Sequence, residues 1–263
     1  MNHPIFELNG ITHVAGGQKI LDNVSWRVRT GEHWAMLGPN GAGKTSILRV
    51  AGGYLWPNAG GIICRLGQEL LDLRQLRRSI GWVSNTLNAM VPKDEKALDT
   101  VVSGRTAQLG LKIFRGTEPE PADYAIARTF LEQLGQANVV EKEFGVLSQG
   151  EQQAVLVARA RMALPLLMIL DEPCAGMDPG TRERFLDGLN QLLADPDAPS
   201  IVIVTHHVEE ILPGFVNTLV VNNGCIVNSG PTRDVINRRS LSDLYKTPLR
   251  ELVESDGRFW PVF

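Results

Sequence analysis

The chain has 263 residues, enough for one large core or a core with an inserted subdomain and too few for two unrelated full-size domains. Apolar residues at 43% and charged residues at 21% are ordinary for a globular protein, and a net charge of −3 gives no electrostatic case for a nucleic-acid partner. The longest apolar run, over 164–170, is broken by Pro165 and falls far short of the ~20 residues of a membrane span, and residues 1–10 lack the basic-then-apolar order of a signal peptide. Cys64, Cys174 and Cys225 are widely spaced, odd in number and without metal-ligand spacing, which points to a reducing compartment and to plain small core residues.

In chain order, alternation over 5–14 and 20–28 predicts two antiparallel strands turning at Gly16-Gly17. Trp34-Ala35-Met36-Leu37 reads as a buried strand and 45–51 as a helix. Between them stands Gly38-Pro39-Asn40-Gly41-Ala42-Gly43-Lys44-Thr45. Glycines there leave room for backbone N–H groups to converge on a polyphosphate, and the helix N-terminus faces the anion. Lys44 then reaches the β and γ phosphates and Thr45 offers a hydroxyl to Mg²⁺. These eight residues with Ser46 are the candidate contacts for a nucleoside triphosphate.

Downstream, 62–66 and 79–83 read as strands around a Leu/Arg-rich helix near 71–78. From about Asp94 to Phe144 helical periodicity dominates, broken by a loop over 115–121, so this stretch reads as a helical insertion. Strand and helix alternation resumes with a helix over 150–162, a strand over 166–170, a helix over 181–193 and a strand over 201–204. Apolar runs of this kind suit parallel strands buried on both faces. Asn222-Asn223-Gly224 between two apolar runs signals a hairpin, and the closing cluster at 258–263 is expected to pack its aromatic side chains back on the domain.

Asp171-Glu172-Pro173 follows the strand ending at Leu170, which puts two carboxylates at the ligand-facing end of a parallel sheet. Asp171 there holds Mg²⁺ through water, and Glu172 orients or deprotonates an attacking water. About twenty residues upstream, Leu147-Ser148-Gln149-Gly150-Glu151 resembles the signature motif of ABC ATPases. Ser148 and Glu151 also form a capping box, and a capped helix N-terminus is a good γ-phosphate binder.

With the phosphate loop in the same order, the resemblance to ABC ATPases runs from about residue 5 to 236. It implies an α/β P-loop NTPase core with a mainly parallel sheet, an N-terminal antiparallel β subdomain and a helical subdomain inserted at about 94–162. The ATPase domain then spans 1–240, with 241–263 a C-terminal extension packed on it. The ligands implied are ATP and Mg²⁺, with Lys44, Glu172 and His206 catalytic and Thr45, Asp171 and Asn85 on the metal side. His206 after the 201–204 strand matches the family's switch histidine, which contacts the γ-phosphate. Asp178 in Ala175-Gly176-Met177-Asp178 stands at the D-loop, and is equally a helix N-cap before Pro179.

The family works as head-to-tail pairs, in which Ser148 and Gly150 of one chain face nucleotide held by the other. The partners implied are a second copy or paired ABC ATPase and a transmembrane permease, at the cytoplasmic face of the inner membrane. An alternative is a soluble ABC ATPase acting as an ATP-gated regulator of a cytosolic partner. A binding module without turnover is disfavoured because Lys44, Asp171, Glu172 and His206 are all present. Gly31-Glu32-His33-Trp34 and Tyr54-Leu55-Trp56-Pro57 resemble the molybdenum-transport branch.

Some positions depart from the family. Asn85 stands where the Q-loop glutamine is expected and is one methylene shorter. Ala15 stands where a ring would stack on adenine, a contact worth about 1 kcal/mol, so weaker adenine discrimination is expected unless another ring such as Phe6 substitutes. Gln149 and Glu151 replace a glycine and a glutamine of the signature; a carboxylate at 151 suits the helix dipole but opposes a nearby phosphate. His207 occupies a position where the family often has aspartate.

Overall fold

A computed structural model describes residues 3–70, 72–113, 116 and 118–263. In chain order the elements are β1 (Phe6–Ala15), β2 (Gln18–Val28), β3 (Trp34–Leu37), α1 (Lys44–Ala51), β4 (Ile62–Arg65), α2 (Leu73–Arg78), β5 (Ile80–Ser84), α3 (Asn85–Met90) and α4 (Ala97–Val102). There follow α5 (Pro121–Gln133), α6 (Gln149–Arg161), β6 (Leu167–Asp171), α7 (Pro179–Leu193), β7 (Ser200–Thr205), β8 (Asn217–Asn222), β9 (Cys225–Pro231), α8 (Thr232–Val235), α9 (Arg238–Tyr245), β10 (Glu251–Ser255) and β11 (Arg258–Val262). Two compact units divide the chain, Met1–Arg77 with Ser200–Phe263, and Arg78–Pro199.

In the first unit β1 pairs antiparallel with β2 and, on its other edge, with β4. Gly16 and Gly17 make the β1–β2 turn at φ 57° and 78°, a backbone that glycine adopts without steric cost. A second sheet sets β3 parallel between β7 and β8, with β9 returning antiparallel on β8. All six residues of β7 are buried, as the unbroken apolar run predicts for a parallel strand covered on both faces. The chain closes with the antiparallel β10–β11 hairpin.

In the second unit β5 and β6 pair in parallel. Helix α6 is buried along nearly all its length, and α4, α5 and α7 pack on it. Its two buried arginines are satisfied inside the unit, as buried charge requires. Arg161 donates to Gln133 Oε1 at 2.6 Å and to Asp195 Oδ2 at 3.2 Å, while Arg159 donates to Ser103 Oγ at 3.2 Å and to the Gln108 carbonyl.

The α/β expectation holds, with strand ends displaced by a residue or two except at β9, expected over 225–227 and running on to Pro231. The helix predicted over 71–78 begins at Leu73, and Leu71 lies outside the described residues. Of the loop predicted over 115–121, Arg115 and Thr117 lie outside them as well. Among the described residues of 94–144 the α-helices are α4 and α5, with a 3₁₀ turn at Ser103–Thr106 after α4 and another at Ala137–Val139 after α5. Two expectations are corrected. Phe6 is 1% exposed and lies edge-on to Trp26 at 4.8 Å, so its ring belongs to the core and offers no face to a base. Only Cys174 is a core cysteine; Cys64 and Cys225 are half-buried, and all three are free thiols. Among the described residues no helix is long and apolar enough to cross a membrane.

Candidate functional site

The loop between β3 and α1 is held from beneath. Asn223 and Gly224 form the β8–β9 turn in left-handed conformations, φ 48° and 75°. The Gly224 N–H donates to the Ala42 carbonyl at 2.8 Å, and its own carbonyl accepts from Asp22 N at 3.0 Å. The hairpin signal thus has a specific use, since it pins the phosphate loop to β2. The glycines divide by role. A Cβ on Gly38 would lie 2.2 Å from the Val221 carbonyl oxygen, and one on Gly43 would lie 3.2 Å from that of Ile20, so both serve close packing. Gly41, at φ 78°, has nothing within 4 Å of that position and opens the cradle. Of the three glycines expected to leave room for phosphate, Gly41 is the one whose Cβ position is open.

Lys44 opens α1 with its side chain buried, and Nζ donates to the carbonyls of Gly38 at 2.7 Å and Pro39 at 3.0 Å. Thr45 is exposed at the same end, where the first N–H groups of a helix point outward without intrahelical acceptors. The first i to i−4 bond is Ile47 N to Gly43 O at 3.0 Å. A buried ammonium, outward amides and a hydroxyl form a donor set that fits a polyphosphate.

Asp171 ends β6, and Glu172 follows with φ 50°, a left-handed backbone in which a glutamate is strained. Ser148 caps α6: its Oγ accepts from Glu151 N at 3.3 Å, and Glu151 Oε2 accepts from Ser148 N at 2.8 Å, so the capping box is formed. Burial alone would raise the Glu151 carboxyl; the Ser148 bonds and Lys142, 3.6 Å away, outweigh it and hold the group below its ordinary range. Gly150 faces inward, since a Cβ there would meet Thr181 Cγ2 at 2.5 Å. Gly176 lies against Gln149, its would-be Cβ 3.2 Å from the amide atoms. The second unit therefore brings Ser148, Gly150 and the Asp178 loop together. Asp178 caps α7, accepting from Thr181 N at 3.0 Å.

The family model described as ABC transporter matches residues 21–175. This chain belongs to the ABC transporter ATP-binding family. The ABC transporter ATP-binding protein YlmA of Bacillus subtilis (strain 168) is 36% identical over 258 residues, covering 97% of this chain and 96% of that protein. The molybdate/tungstate import ATP-binding protein WtpC of Thermococcus kodakarensis is 31% identical over 226 residues, 86% of this chain and 65% of that one. In fold, cbiO1 of the ABC transporter complex cbiONQ from Clostridium perfringens superposes with a TM-score of 0.77 at 23% identity, covering 92% of this chain and 94% of that one.

In this ABC ATPase His206 is the first residue after β7, half-buried, its ring centroid 4.2 Å from that of His207. His207 Nδ1 is 3.3 Å from Glu209 Oε1, which gives the ring a local carboxylate neighbour. Asn85 is exposed at the start of α3, where Ser84 accepts from Leu87 N as N-cap. Its Oδ1 accepts from Nε2 of the buried Gln153 at 2.9 Å, a tie between the Q-loop position and α6 that the sequence does not signal. Ala15 is exposed at the β1–β2 tip and carries no ring. The Glu32-His33-Trp34 run is structural: Glu32 accepts from Arg29 N at 2.9 Å and Trp34 Nε1 at 3.2 Å, while His33 Nδ1 accepts from Ile201 N at 3.1 Å. Among the described residues no group of three or more His, Cys, Asp or Glu could hold a metal ion.

Proposed function

We propose that this ABC ATPase binds Mg-ATP at the N-terminus of α1 and hydrolyses it as a head-to-tail pair, driving a membrane permease from the cytoplasmic face. The observation that carries the reading is the cradle itself, with Gly41 opening onto space beside a buried Lys44 whose ammonium rests on two loop carbonyls. Backbone N–H groups over 40–46 would donate to the phosphate oxygens, and Lys44 would exchange its carbonyl partners for the β and γ phosphates. When bound, Mg²⁺ supplies positive charge to those oxygens. Thr45 and Asp171 are its candidate ligands by residue type, with Asn85 a third whose Oδ1 is shared with Gln153.

Glu172 takes a proton from the water that attacks the γ-phosphorus, and the bond from that phosphorus to the bridging oxygen breaks, leaving ADP and phosphate. His206 steadies charge on the transferring group. Ser148, Gly150 and Asp178 of one copy close over nucleotide held by the other. The cargo touches other chains, and the Glu32-His33-Trp34 run, being occupied with fold contacts, gives no reading of it.

Steady-state hydrolysis of Mg-ATP tests the chemistry. Glu172→Gln keeps the size of the side chain and removes the base, so turnover is expected to fall by about a hundredfold or more. Equal turnover in the variant and the natural chain would contradict the assignment.

A further inference from the structure

His206 is half-buried at the end of a fully buried strand, but the loop it opens belongs to no sheet. The backbone of 205–210 is held in two ways. Within the loop, the Thr205 hydroxyl donates to Glu210 Oε2 at 2.5 Å and accepts from His207 N at 2.9 Å. From outside, Arg258 on β11 donates through Nε to the Glu209 carbonyl at 3.0 Å, and the Tyr245 hydroxyl donates to the His206 carbonyl at 2.8 Å. Tyr245 is the last residue of α9, and Phe263 meets its ring edge-on at 5.6 Å, so the phenol is fixed from both sides. Burial, helped by the charges of Glu209 and Glu210, raises its pKa and keeps it a donor. A pocket of about 260 Å³ beside this loop is lined by His206, His207, Tyr245, Trp260 and Phe263.

We propose that Tyr245 is a positioning residue for His206, the β10–β11 hairpin and the end of α9 together bracing the switch loop so that the imidazole stays where the γ-phosphate would meet it. The inference rests on the role given to His206 above. It makes hydrolysis depend on residues 245–263, which carry no family motif.

Tyr245→Phe removes the hydroxyl and keeps the ring. One lost hydrogen bond is expected to lower kcat about fivefold, with KM for Mg-ATP within about twofold of the natural value. The NMR resonance of ¹³Cε1-labelled His206 is expected to shift, and in a His206→Ala background the same substitution should lower kcat no further. Phe263→Leu, which loosens the Tyr245 ring and spares its hydroxyl, should act in the same direction more weakly. An unchanged kcat, an unshifted His206 resonance, or a loss that adds to that of His206→Ala would each overturn the inference. Should His206→Ala alone leave hydrolysis intact, the role of His206 fails first and the inference falls with it.

Discussion

Gly38 lacks a side chain because the Val221 carbonyl stands where a Cβ would be, and that close approach seats the start of the phosphate loop on β8. Glu172 shows the opposite economy of shape: a glutamate in a left-handed backbone costs about 1–3 kcal/mol, and the strain falls on the residue assigned to take the hydrolytic proton. His33 ties the start of β7 to the segment before the loop. Burial lowers its pKa from 6.5, so the fold favours the neutral ring whose Nδ1 accepts from Ile201 N. That contribution to stability is fully present above pH 6.5 and is lost as pH falls from there through the lowered folded value. Urea midpoints measured between about pH 7.5 and 5 should therefore drop more steeply for the natural chain than for His33→Asn, whose amide oxygen accepts without titrating. Parallel pH profiles would remove His33 from the account.

At the scale of elements, α1 is fixed at both ends. Its N-terminus follows the loop that Gly224 pins through the Ala42 carbonyl, and its C-terminus is closed by Arg65 at the end of β4, 2% exposed. The guanidinium donates to the Ala51 carbonyl at 2.8 Å and to that of Val50 at 2.5 Å, with Trp56 stacked 5.1 Å from it. Positive charge there complements the helix dipole. Arg65→Met would strand the buried Ala51 carbonyl and leave that of Val50 with the Gly53 N–H at 3.2 Å, with an expected loss of about 1–3 kcal/mol in urea unfolding. A loss below about 0.5 kcal/mol would show the cap to be idle. The phosphate loop, the capping box of α6 and the Asn222-Asn223-Gly224 turn were legible in the sequence because each signal is local, a spacing of three or four residues that decides its own backbone. Arg65 was not legible, since a strand reading Ile-Ile-Cys-Arg gives no sign that its charge turns inward to a helix end. Nor were the Gln153 to Asn85 bond or the Tyr245 to His206 bond, which join residues 68 and 39 positions apart. The division of labour among the glycines at 38, 41 and 43 likewise depends on β2 and β8, which no reading of the loop alone supplies.

Across the whole molecule, the family's motifs are distributed over both compact units. Lys44 and His206 lie in one, and Asp171, Glu172, Ser148 and Asp178 in the other. Ser148 and Asp178 are exposed on the surface of theirs while serving as helix caps, an arrangement suited to meeting a second chain. If nucleotide is held by the amides around Lys44 and closed over by Ser148 of a second copy, a form that binds ATP and cannot hydrolyse it should accumulate as a pair. Sedimentation velocity of the Glu172→Gln chain measures this most directly. With saturating Mg-ATP it should sediment at about twice its nucleotide-free mass, and addition of Lys44→Ala should abolish the shift. A single species of unchanged mass with and without Mg-ATP would contradict the shared site.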